Sequence, residues 1–335
     1  MIPQEKSEAV SRGLRDAFGV SGFDDISVLT GGHTSSLVFR IVVAGSPYVL
    51  KIITRAEDPT RHYNCMRAAA EAGLAPRVWY TSVEDHISIT DFVTVQPLPV
   101  PQALVRLPAV LRTLHALPAF ERAPFNTTCT FLLGKGPALD GFLHRFQNGH
   151  TLSPADAGEW AARYAELAAV YPYDDAEMVA SHNDLFKPDN ILFDGRHPWL
   201  IDWEAAFLND RYADLAVVAN HVVTNDAGEL AFLQEYFGAP PSEYQRARFH
   251  LMRQLVHLFY TMAFLTLGSG GQPVDWSEPV PTFREYHRRM WAHEVDLADN
   301  AQKLIYGRAH WEQLVENVRQ ARYQEALRIV AARPV

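Results

Sequence analysis

The sequence predicts an α+β protein with two lobes, a first lobe built on an antiparallel sheet and a larger, helical second lobe. Short runs of β-branched residues, separated by Gly and Pro turns, occupy most of the chain up to residue 90. Helical periodicity dominates beyond the Pro-rich segment 96–101. The 335 residues are enough for two hydrophobic cores. We therefore predict domains at 1–93 and 94–335, with a hinge near 91–97.

The first lobe is predicted to open with an amphipathic helix over residues 5–18. A second helix, over 58–72, ends at Gly73 with Pro76 beyond it, which is a common way for a helix to end. Strands are predicted on both sides of this second helix, because β-branched and aromatic runs alternate there with turn residues. They lie at 26–29, 36–43, 48–53, 78–80 and 86–90.

The second lobe is predicted to be helical except for the segment 181–204. That segment has the pattern of a loop, a hairpin strand and a second loop. The predicted helices lie at roughly 103–117, 138–147, 154–170, 212–223, 226–237, 242–267 and 282–333.

Composition excludes several classes of protein. The formal net charge of −9 disfavours nucleic acid or an anionic membrane as the main partner, and it suits either a cationic substrate or a solvated acidic surface. Cys65 and Cys129 are too few for a disulfide framework and are wrongly spaced for zinc. The N-terminus lacks a signal-peptide pattern, and no apolar run reaches membrane-spanning length. We therefore expect a cytoplasmic protein whose partner is a small molecule, with its oligomeric state left open.

Acid and amide side chains are spaced along the segment 181–204 as in a phosphoryl-transfer site. Asp184 follows Ser-His-Asn, Asn190 comes six residues later, and Asp202 follows a short apolar run. Either aspartate alone would be read as a turn-former. As an ordered set, Asp184 is expected to orient the proton of an attacking hydroxyl, while Asn190 and Asp202 supply the oxygen ligands that Mg²⁺ prefers.

Phosphate-binding residues are predicted between the first three strands. Gly31 and Gly32 precede Ser35 and Ser36, and such a loop is either an ordinary hairpin turn or a cradle for phosphate oxygens. Lys51 lies in the apolar third strand, where its ammonium group must reach solvent or meet an anion. Together these residues predict an ATP site in which Lys51 contacts the phosphates.

The last strand of the first lobe meets the hinge at Asp91 and Val93. Their backbone groups are expected to bind the adenine edge, an assignment that rests on position alone.

Several other residues, in or beyond the segment 181–204, could have a structural or a functional role. His182 and Asp214 are expected to be scaffold residues, with Asp214 capping a helix or bracing the catalytic loop. Tyr260 and Phe264 lie four residues apart on one helix face, so they either fill the core or form a cage for a cationic substrate. Glu204, two residues after Asp202, is also expected near the substrate.

Taken together, these residues resemble the aminoglycoside phosphotransferase and choline/ethanolamine kinase superfamily, and more closely its choline kinase-like branch. The resemblance runs from about residue 26 to about residue 220 and implies a bilobal protein-kinase-like fold. It implies that Asp184 is the catalytic base, that Asn190 and Asp202 bind magnesium, and that Lys51 and the Gly31-Gly32 loop hold ATP. It rests on Leu-Thr-Gly-Gly-His-Thr-Ser-Ser-Leu-Val-Phe-Arg, Lys51, Ala-Gly-Leu-Ala-Pro at 72–76, Leu-His-Ala-Leu-Pro at 114–118, the loop His182–Asn190 and Ile-Asp-Trp-Glu at 201–204.

Three positions depart from the pattern of that superfamily. The catalytic loop is one residue longer, which places Asn190 six residues after Asp184. His62 occupies the helix position where such kinases carry a Glu that pairs with the lysine, so Lys51 either lacks that partner or takes another, such as Glu71. His221 falls near the position where choline kinases carry an acid for the quaternary amine.

Three functions remain open from sequence. The first is an ATP- and magnesium-dependent kinase that acts on a hydroxyl of a small, amine-bearing metabolite. The second is phosphorylation of an antibiotic, homoserine or a sugar. The third is a pseudokinase that binds nucleotide or a partner, which the retention of Lys51, Asp184, Asn190 and Asp202 disfavours.

Overall fold

The computed structural model describes residues 2–29, 36–122, 146, 151–172 and 177–332. The chain forms two compact units. The first unit contains Met1–Leu98 and Asn190–Ala206, and the second contains Pro99–Asp189 and Phe207–Val335. The sequence places the boundary at 93/94 and assigns the whole of 94–335 to one domain, whereas contacts group the segment 190–206 with the first unit.

The first unit contains a five-stranded antiparallel sheet, whose strands are β1 Asp25–Val28, β2 Ser36–Val43, β3 Ser46–Ile53, β4 Val78–Ser82 and β5 Ile87–Asp91. Their order in the sheet is β1-β2-β3-β5-β4. All five predicted strands are present, and Lys51 on β3 lies between Val38 on β2 and Ser88 on β5. The α+β fold class is confirmed, with ten helices in the described residues of the two units.

The described residues of the first unit form two α-helices, and both were predicted. Helix α1, Ser7–Phe18, follows a 3-10 turn and packs its apolar residues Val10 and Leu14 on the sheet with Ile41 and Leu50. Helix α2, Thr60–Glu71, follows β3. Burying one apolar stripe of α1 on the alternating inward side chains of the strands forms the core of this unit.

A short hairpin inserts into the first unit from a distant part of the chain. Strands β7 Ile191–Phe193 and β8 Pro198–Leu200 pair antiparallel, and a 3-10 turn, Trp203–Ala205, follows. The Leu200 amide donates to the Leu74 carbonyl at 2.7 Å, and the Gln96 amide donates to the Phe193 carbonyl at 2.6 Å. These main-chain bonds anchor the hairpin to residues that precede it by about a hundred positions.

In its described residues, the second unit is helical around one two-stranded sheet. Strand β6, Met178–Ser181, pairs with β9, Phe207–Asp210. The longest described helix, α7 (Glu243–Ser269), begins with a complete capping box between Ser242 and Gln245. The described helices are α3 Val100–His115, α4 Pro154–Val170, α5 Arg211–Val222, α6 Asp226–Phe237, α7 Glu243–Ser269, α8 Phe283–Trp291, α9 Asn300–Val318 and α10 Ala321–Ala331.

The prediction of one helix over 282–333 is wrong, because three helices occupy that segment. Helix α8 ends at Trp291, and His293 has a left-handed backbone with φ of 55°. The Asp299 side chain then accepts a hydrogen bond from the Ala301 amide and begins α9. Aspartate competes for backbone amides and favours caps over helix interiors, which apolar periodicity alone does not register.

The remaining predicted helices of this lobe begin and end within a few residues of those in the structure. The predicted helix at 138–147 lies outside the described residues except for Phe146. In the part of the chain that the structure describes, no helix is both long and apolar enough to cross a membrane.

Helices α7 and α9 approach closely through two glycines. A Cβ at Gly307 would lie 2.9 Å from Leu265 Cγ and 3.0 Å from the Leu265 backbone nitrogen, and one at Gly268 would lie 2.9 Å from the Asn300 carbonyl oxygen. Glycine lowers helix stability by about 1 kcal/mol relative to alanine. Its presence here is explained by the short distance between the two helix backbones.

We expect Gly307→Ala to lower the free energy of unfolding by about 1–2 kcal/mol, because overpacking outweighs the better helix propensity of alanine. The matched control is Gly158→Ala on α4, where a Cβ meets nothing within 4 Å. The control is expected to raise stability by up to about 1 kcal/mol. Urea denaturation of both variants measures the difference, and equal stabilisation by the two substitutions would contradict the close packing.

Candidate functional site

The loop that carries Asp184 begins directly after β6, and its backbone is fixed by the second unit. Asp214, on α5, accepts hydrogen bonds from the amides of His182 and Asn183, both at 2.8 Å. Asn183 has a left-handed backbone with φ of 65°, and its side-chain oxygen accepts from Asn209 Nδ2 at 2.7 Å. Asn tolerates this conformation better than most residues. The structure therefore shows Asp214 bracing the loop immediately before Asp184.

Asp214 is 1% exposed, and its charge is compensated by hydrogen bonds. His115 Nε2 donates to Asp214 Oδ2 at 3.3 Å, and the Tyr236 hydroxyl donates to His115 Nδ1 at 2.7 Å. Burial by itself raises the pKa of Asp214. The hydrogen bonds and charge interactions with His115 and His182 outweigh burial and lower that pKa, so the carboxylate is ionised at neutral pH.

Asp184 is partly buried, and a lysine of its own loop contacts its carboxylate. Lys187 Nζ donates to Asp184 Oδ2 at 3.3 Å. Lys187 belongs to the lengthened part of the loop, so the departure from the family pattern places a positive charge beside the predicted base. The buried His182 ring accepts from the Asp184 amide at 3.3 Å, as expected of a scaffold residue.

Asn190 and Asp202 come together at the open end of the hairpin formed by β7 and β8. Ile191 pairs with Leu200, and the Ile201 amide donates to the Asn190 carbonyl at 3.0 Å. Asp202, the next residue, has a left-handed backbone with φ of 66°. The Asn190 amide and the Asp202 carboxylate are thus held at neighbouring positions on the two arms of the hairpin. One amide oxygen and one carboxylate suit Mg²⁺, which usually takes one or two protein ligands and completes its shell with water and phosphate.

Lys51 lies beside this hairpin and has two acidic partners there. Its Nζ atom is 3.1 Å from Asp202 Oδ1 and 3.0 Å from Glu204 Oε1. Glu71, the alternative partner considered from sequence, is exposed at the end of α2. His62 is buried, and burial together with the positive charge of Lys51 lowers its pKa to about 3, so the imidazole is neutral.

The remaining predicted nucleotide-binding residues are placed as follows. Gly31, Gly32 and Ser35 lie outside the described residues. Ser36 begins β2, and in the described part of the chain its buried hydroxyl has no hydrogen-bond partner. An orphaned hydroxyl next to the Gly loop fits a phosphate oxygen as its missing partner.

Asp91 and Val93 line a cleft of about 370 Å³ within the first unit. The Asp91 amide already donates to the Arg77 carbonyl, and its carboxylate accepts from Trp79 Nε1 at 2.7 Å. The amide and the carboxylate of Asp91 are therefore engaged within the first unit, and the adenine assignment stays a prediction.

Tyr260 and Phe264 are 5% and 6% exposed, and both contact the catalytic loop. Their rings lie 5.3 and 5.5 Å from the Phe186 ring, centroid to centroid. His221 Nε2 donates to the Phe186 carbonyl at 3.0 Å, and burial lowers the pKa of His221 to about 4. In this structure the aromatic pair supports Phe186, and a contact with substrate remains a prediction.

Sequence reasoning missed two arginines that hold the turn after Asp202. Arg55 donates to the second carboxylate oxygen of Glu204. Arg61 donates to the main-chain carbonyls of Glu204 and Ala206 at 2.7 and 2.6 Å. Arg55 lies in the loop between β3 and α2, and Arg61 lies in the first turn of α2. An isolated arginine in either place resembles a solvated surface residue, so no local sequence signal distinguishes the two. His115 entered the sequence analysis only as part of the Leu-His-Ala-Leu-Pro segment, and no role was predicted for it.

Buried neutral histidines predict acid sensitivity of the second unit. Burial lowers the pKa of His221 to about 4 and of His250 to about 3, and it also lowers the pKa values of His257, His287 and His310. A histidine whose pKa is lower in the folded state binds its proton more readily when unfolded. The free energy of unfolding therefore does not suffer from these histidines above about pH 6.5, the pKa of an unfolded histidine. It declines as the pH falls from there towards 4.

We expect the melting temperature to fall between about pH 6.5 and pH 4, and His221→Gln to flatten that decline because one titrating group is removed. Scanning calorimetry at several pH values measures both curves. A wild-type melting temperature that stays constant over this range would contradict the neutral buried histidines.

Comparison with known proteins agrees with the geometry. The family model described as "Phosphotransferase enzyme family" (APH) matches residues 25–250. No curated protein is similar enough to count as a match. A choline/ethanolamine kinase family protein from Mesorhizobium loti has a similar structure, with 19% identity over 97% of this chain and 99% of that chain and a TM-score of 0.64.

Two further solved structures share the fold. Choline kinase from Cryptosporidium parvum is 12% identical over 92% of each chain, with a TM-score of 0.59. Spectinomycin phosphotransferase, solved with ADP and spectinomycin, is 15% identical over 90% of this chain and 98% of that chain, with a TM-score of 0.54. At these identities the structures establish the fold, while the family match covers more than half of the sequence. The chain belongs to the APH phosphotransferase enzyme family.

Proposed function

We propose that this chain is an ATP- and magnesium-dependent kinase that phosphorylates a hydroxyl of a small, amine-bearing metabolite. The observation that carries the proposal is the hairpin end at which Asn190 and Asp202 occupy neighbouring positions, with Lys51 Nζ 3.1 Å from the Asp202 carboxylate. A phosphate-binding cation next to two hard oxygen ligands is what phosphoryl transfer requires of a protein.

Each residue has a role that follows from its position. Asn190 and Asp202 would hold magnesium, which neutralises charge on the phosphates when bound. Lys51 would bind phosphate oxygens, and the Ser36 hydroxyl would donate to them. Asp184, held by a loop that Asp214 fixes, would orient the acceptor hydroxyl and receive its proton.

Two facts support an amine-bearing acceptor. The net charge of −9 favours approach of a cation. Choline and ethanolamine kinases are among the proteins of similar fold. Against a direct copy of a choline site, His221 is buried and neutral where an acid is expected in choline kinases.

The acceptor is tested by magnesium-dependent ADP release from ATP across choline, ethanolamine, aminoglycosides, homoserine and simple sugars. We expect the strongest signal with an amino alcohol. ADP release with the sugars alone would contradict an amine-bearing acceptor and indicate a sugar kinase. Nucleotide binding without ADP release from any acceptor would favour the pseudokinase reading.

We expect Asp184→Asn to lower kcat by about 10²- to 10⁴-fold, because the amide can neither accept the proton nor orient the hydroxyl in the same way. The matched control is Asp189→Asn in the same loop, where the exposed carboxylate pairs with His293 at 2.8 Å. The control is expected to retain activity. Steady-state ADP production measures both variants, and equal activities would remove Asp184 from the mechanism.

We expect Asn190→Ala to raise the magnesium concentration needed for half-maximal activity, and Asp202→Ala to abolish activity at any magnesium concentration. The difference follows from charge, since the carboxylate contributes more to cation binding than the amide does. Magnesium titrations of ADP production separate the two. If the magnesium dependence of both variants matches that of wild type, neither residue is a ligand.

A further inference from the structure

Lys51 has a carboxylate partner that does not come from the neighbouring helix. Helix α2, which is described in full, contains a single acid, Glu71, at its last position and exposed. The buried residue that faces Lys51 from this helix is His62, which cannot supply a negative charge. A lysine held by four flexible methylenes needs a fixed anion to be directed at a phosphate. Another element must therefore orient the Lys51 ammonium group.

Glu204 occupies the position of that anion. Its Oε1 atom is 3.0 Å from Lys51 Nζ, and its second carboxylate oxygen accepts from Arg55. Both carboxylate oxygens are engaged by cations within the first unit. This arrangement differs from the expectation that Glu204 contacts the acceptor.

Helix α2 contributes indirectly, by holding the turn that carries Glu204. Arg61, adjacent to His62, donates to the main-chain carbonyls of Glu204 and Ala206. Cys65, one helical turn later, has its sulfur 3.9 Å from the same Ala206 carbonyl. Helix α2 fixes the backbone of the turn, the turn fixes the Glu204 carboxylate, and the carboxylate faces Lys51.

Asp202 also contacts Lys51, but the proposed function assigns its carboxylate to magnesium. A carboxylate that ligates a metal has less negative charge to offer a nearby ammonium group. Glu204 is then the acid that remains available to Lys51 throughout the reaction.

We infer that Glu204 is the positioning residue for Lys51. It takes the role of an acid on α2, where this chain has His62 at the position facing the lysine. The inference rests on the proposed function for the identity of the bound phosphate, and it is tested first through nucleotide affinity in the absence of any acceptor. Adenosine serves as a second probe because it lacks the phosphates that Lys51 would contact.

Glu204→Gln keeps the size of the side chain and removes its charge. We expect the affinity for magnesium-ATP to fall about 10- to 100-fold, the range of a charge-assisted hydrogen bond, with little change for adenosine. Isothermal titration calorimetry measures both ligands on the full chain, and thermal melting checks the fold. Wild-type affinity for ATP in this variant, or equal losses for ATP and adenosine, would overturn the inference.

A double-mutant cycle shows whether Glu204 acts through Lys51. Lys51→Ala is expected to weaken ATP binding, and adding Glu204→Gln to it should cost little more, because the residue being positioned is gone. Fully additive losses would mean that Glu204 acts independently of Lys51, and the inference would fall.

Returning an acid to α2 provides the rescue experiment. His62→Glu in the Glu204→Gln background is expected to recover part of the ATP affinity and of kcat. The matched control is Glu57→Gln, an exposed acid 3.9 Å from Arg55, which should leave both ligands bound as in wild type. If the double variant folds but recovers neither ATP affinity nor kcat, Glu204 does not take the role of an acid on α2. Normal nucleotide behaviour with no acceptor phosphorylated would instead overturn the proposed function and leave the role of Glu204 standing.

Discussion

A single buried carboxylate sets the backbone of the loop that carries the predicted base. Asp214 accepts two main-chain amides and one imidazole N–H, and each of these donors lies in or contacts the core of the second unit. Removing a carboxylate from water costs several kcal/mol unless its oxygens are paired. Three donors offset that cost, and the same bonds stop the loop from adopting other conformations. The position of Asp184 therefore depends on the folding of α5 and α3 as much as on its own sequence.

The segments that carry Asp184 and Asp202 share an uncommon backbone conformation. Asn183 and Asp202 both adopt left-handed conformations, with φ of 65° and 66°. Such a conformation costs a non-glycine residue about 1–2 kcal/mol, less for Asn and Asp than for others. In each case surrounding hydrogen bonds hold the residue in place. A left-handed residue turns the chain sharply. Asn and Asp tolerate this conformation better than other non-glycine residues, and unlike glycine they supply polar side chains, which here contact Asn209 and Lys51.

The structure explains why some predictions succeeded and others failed. The strands of the first unit were predicted because alternating burial and turn residues are local signals. The helix predicted over 282–333 was wrong because its breaks depend on capping by Asp299 and on a left-handed His293. The partner of Lys51 was missed because Glu204 lies more than 150 positions away in sequence, at 3.0 Å in space. Nothing in the local sequence of either residue encodes that distance.

Local sequence patterns were enough to predict the fold class, the family and the order of the chemical groups. The period-two and helical patterns, and the spacing of Asp184, Asn190 and Asp202, are properties of short segments. The tertiary structure decided which groups pair. It gave Lys51 the acid of a distant turn, placed Asn190 beside Asp202 through hairpin register, and turned Tyr260 and Phe264 towards Phe186. The physical reason is that electrostatic and packing energies depend on distances in space, which chain position fixes only for near neighbours.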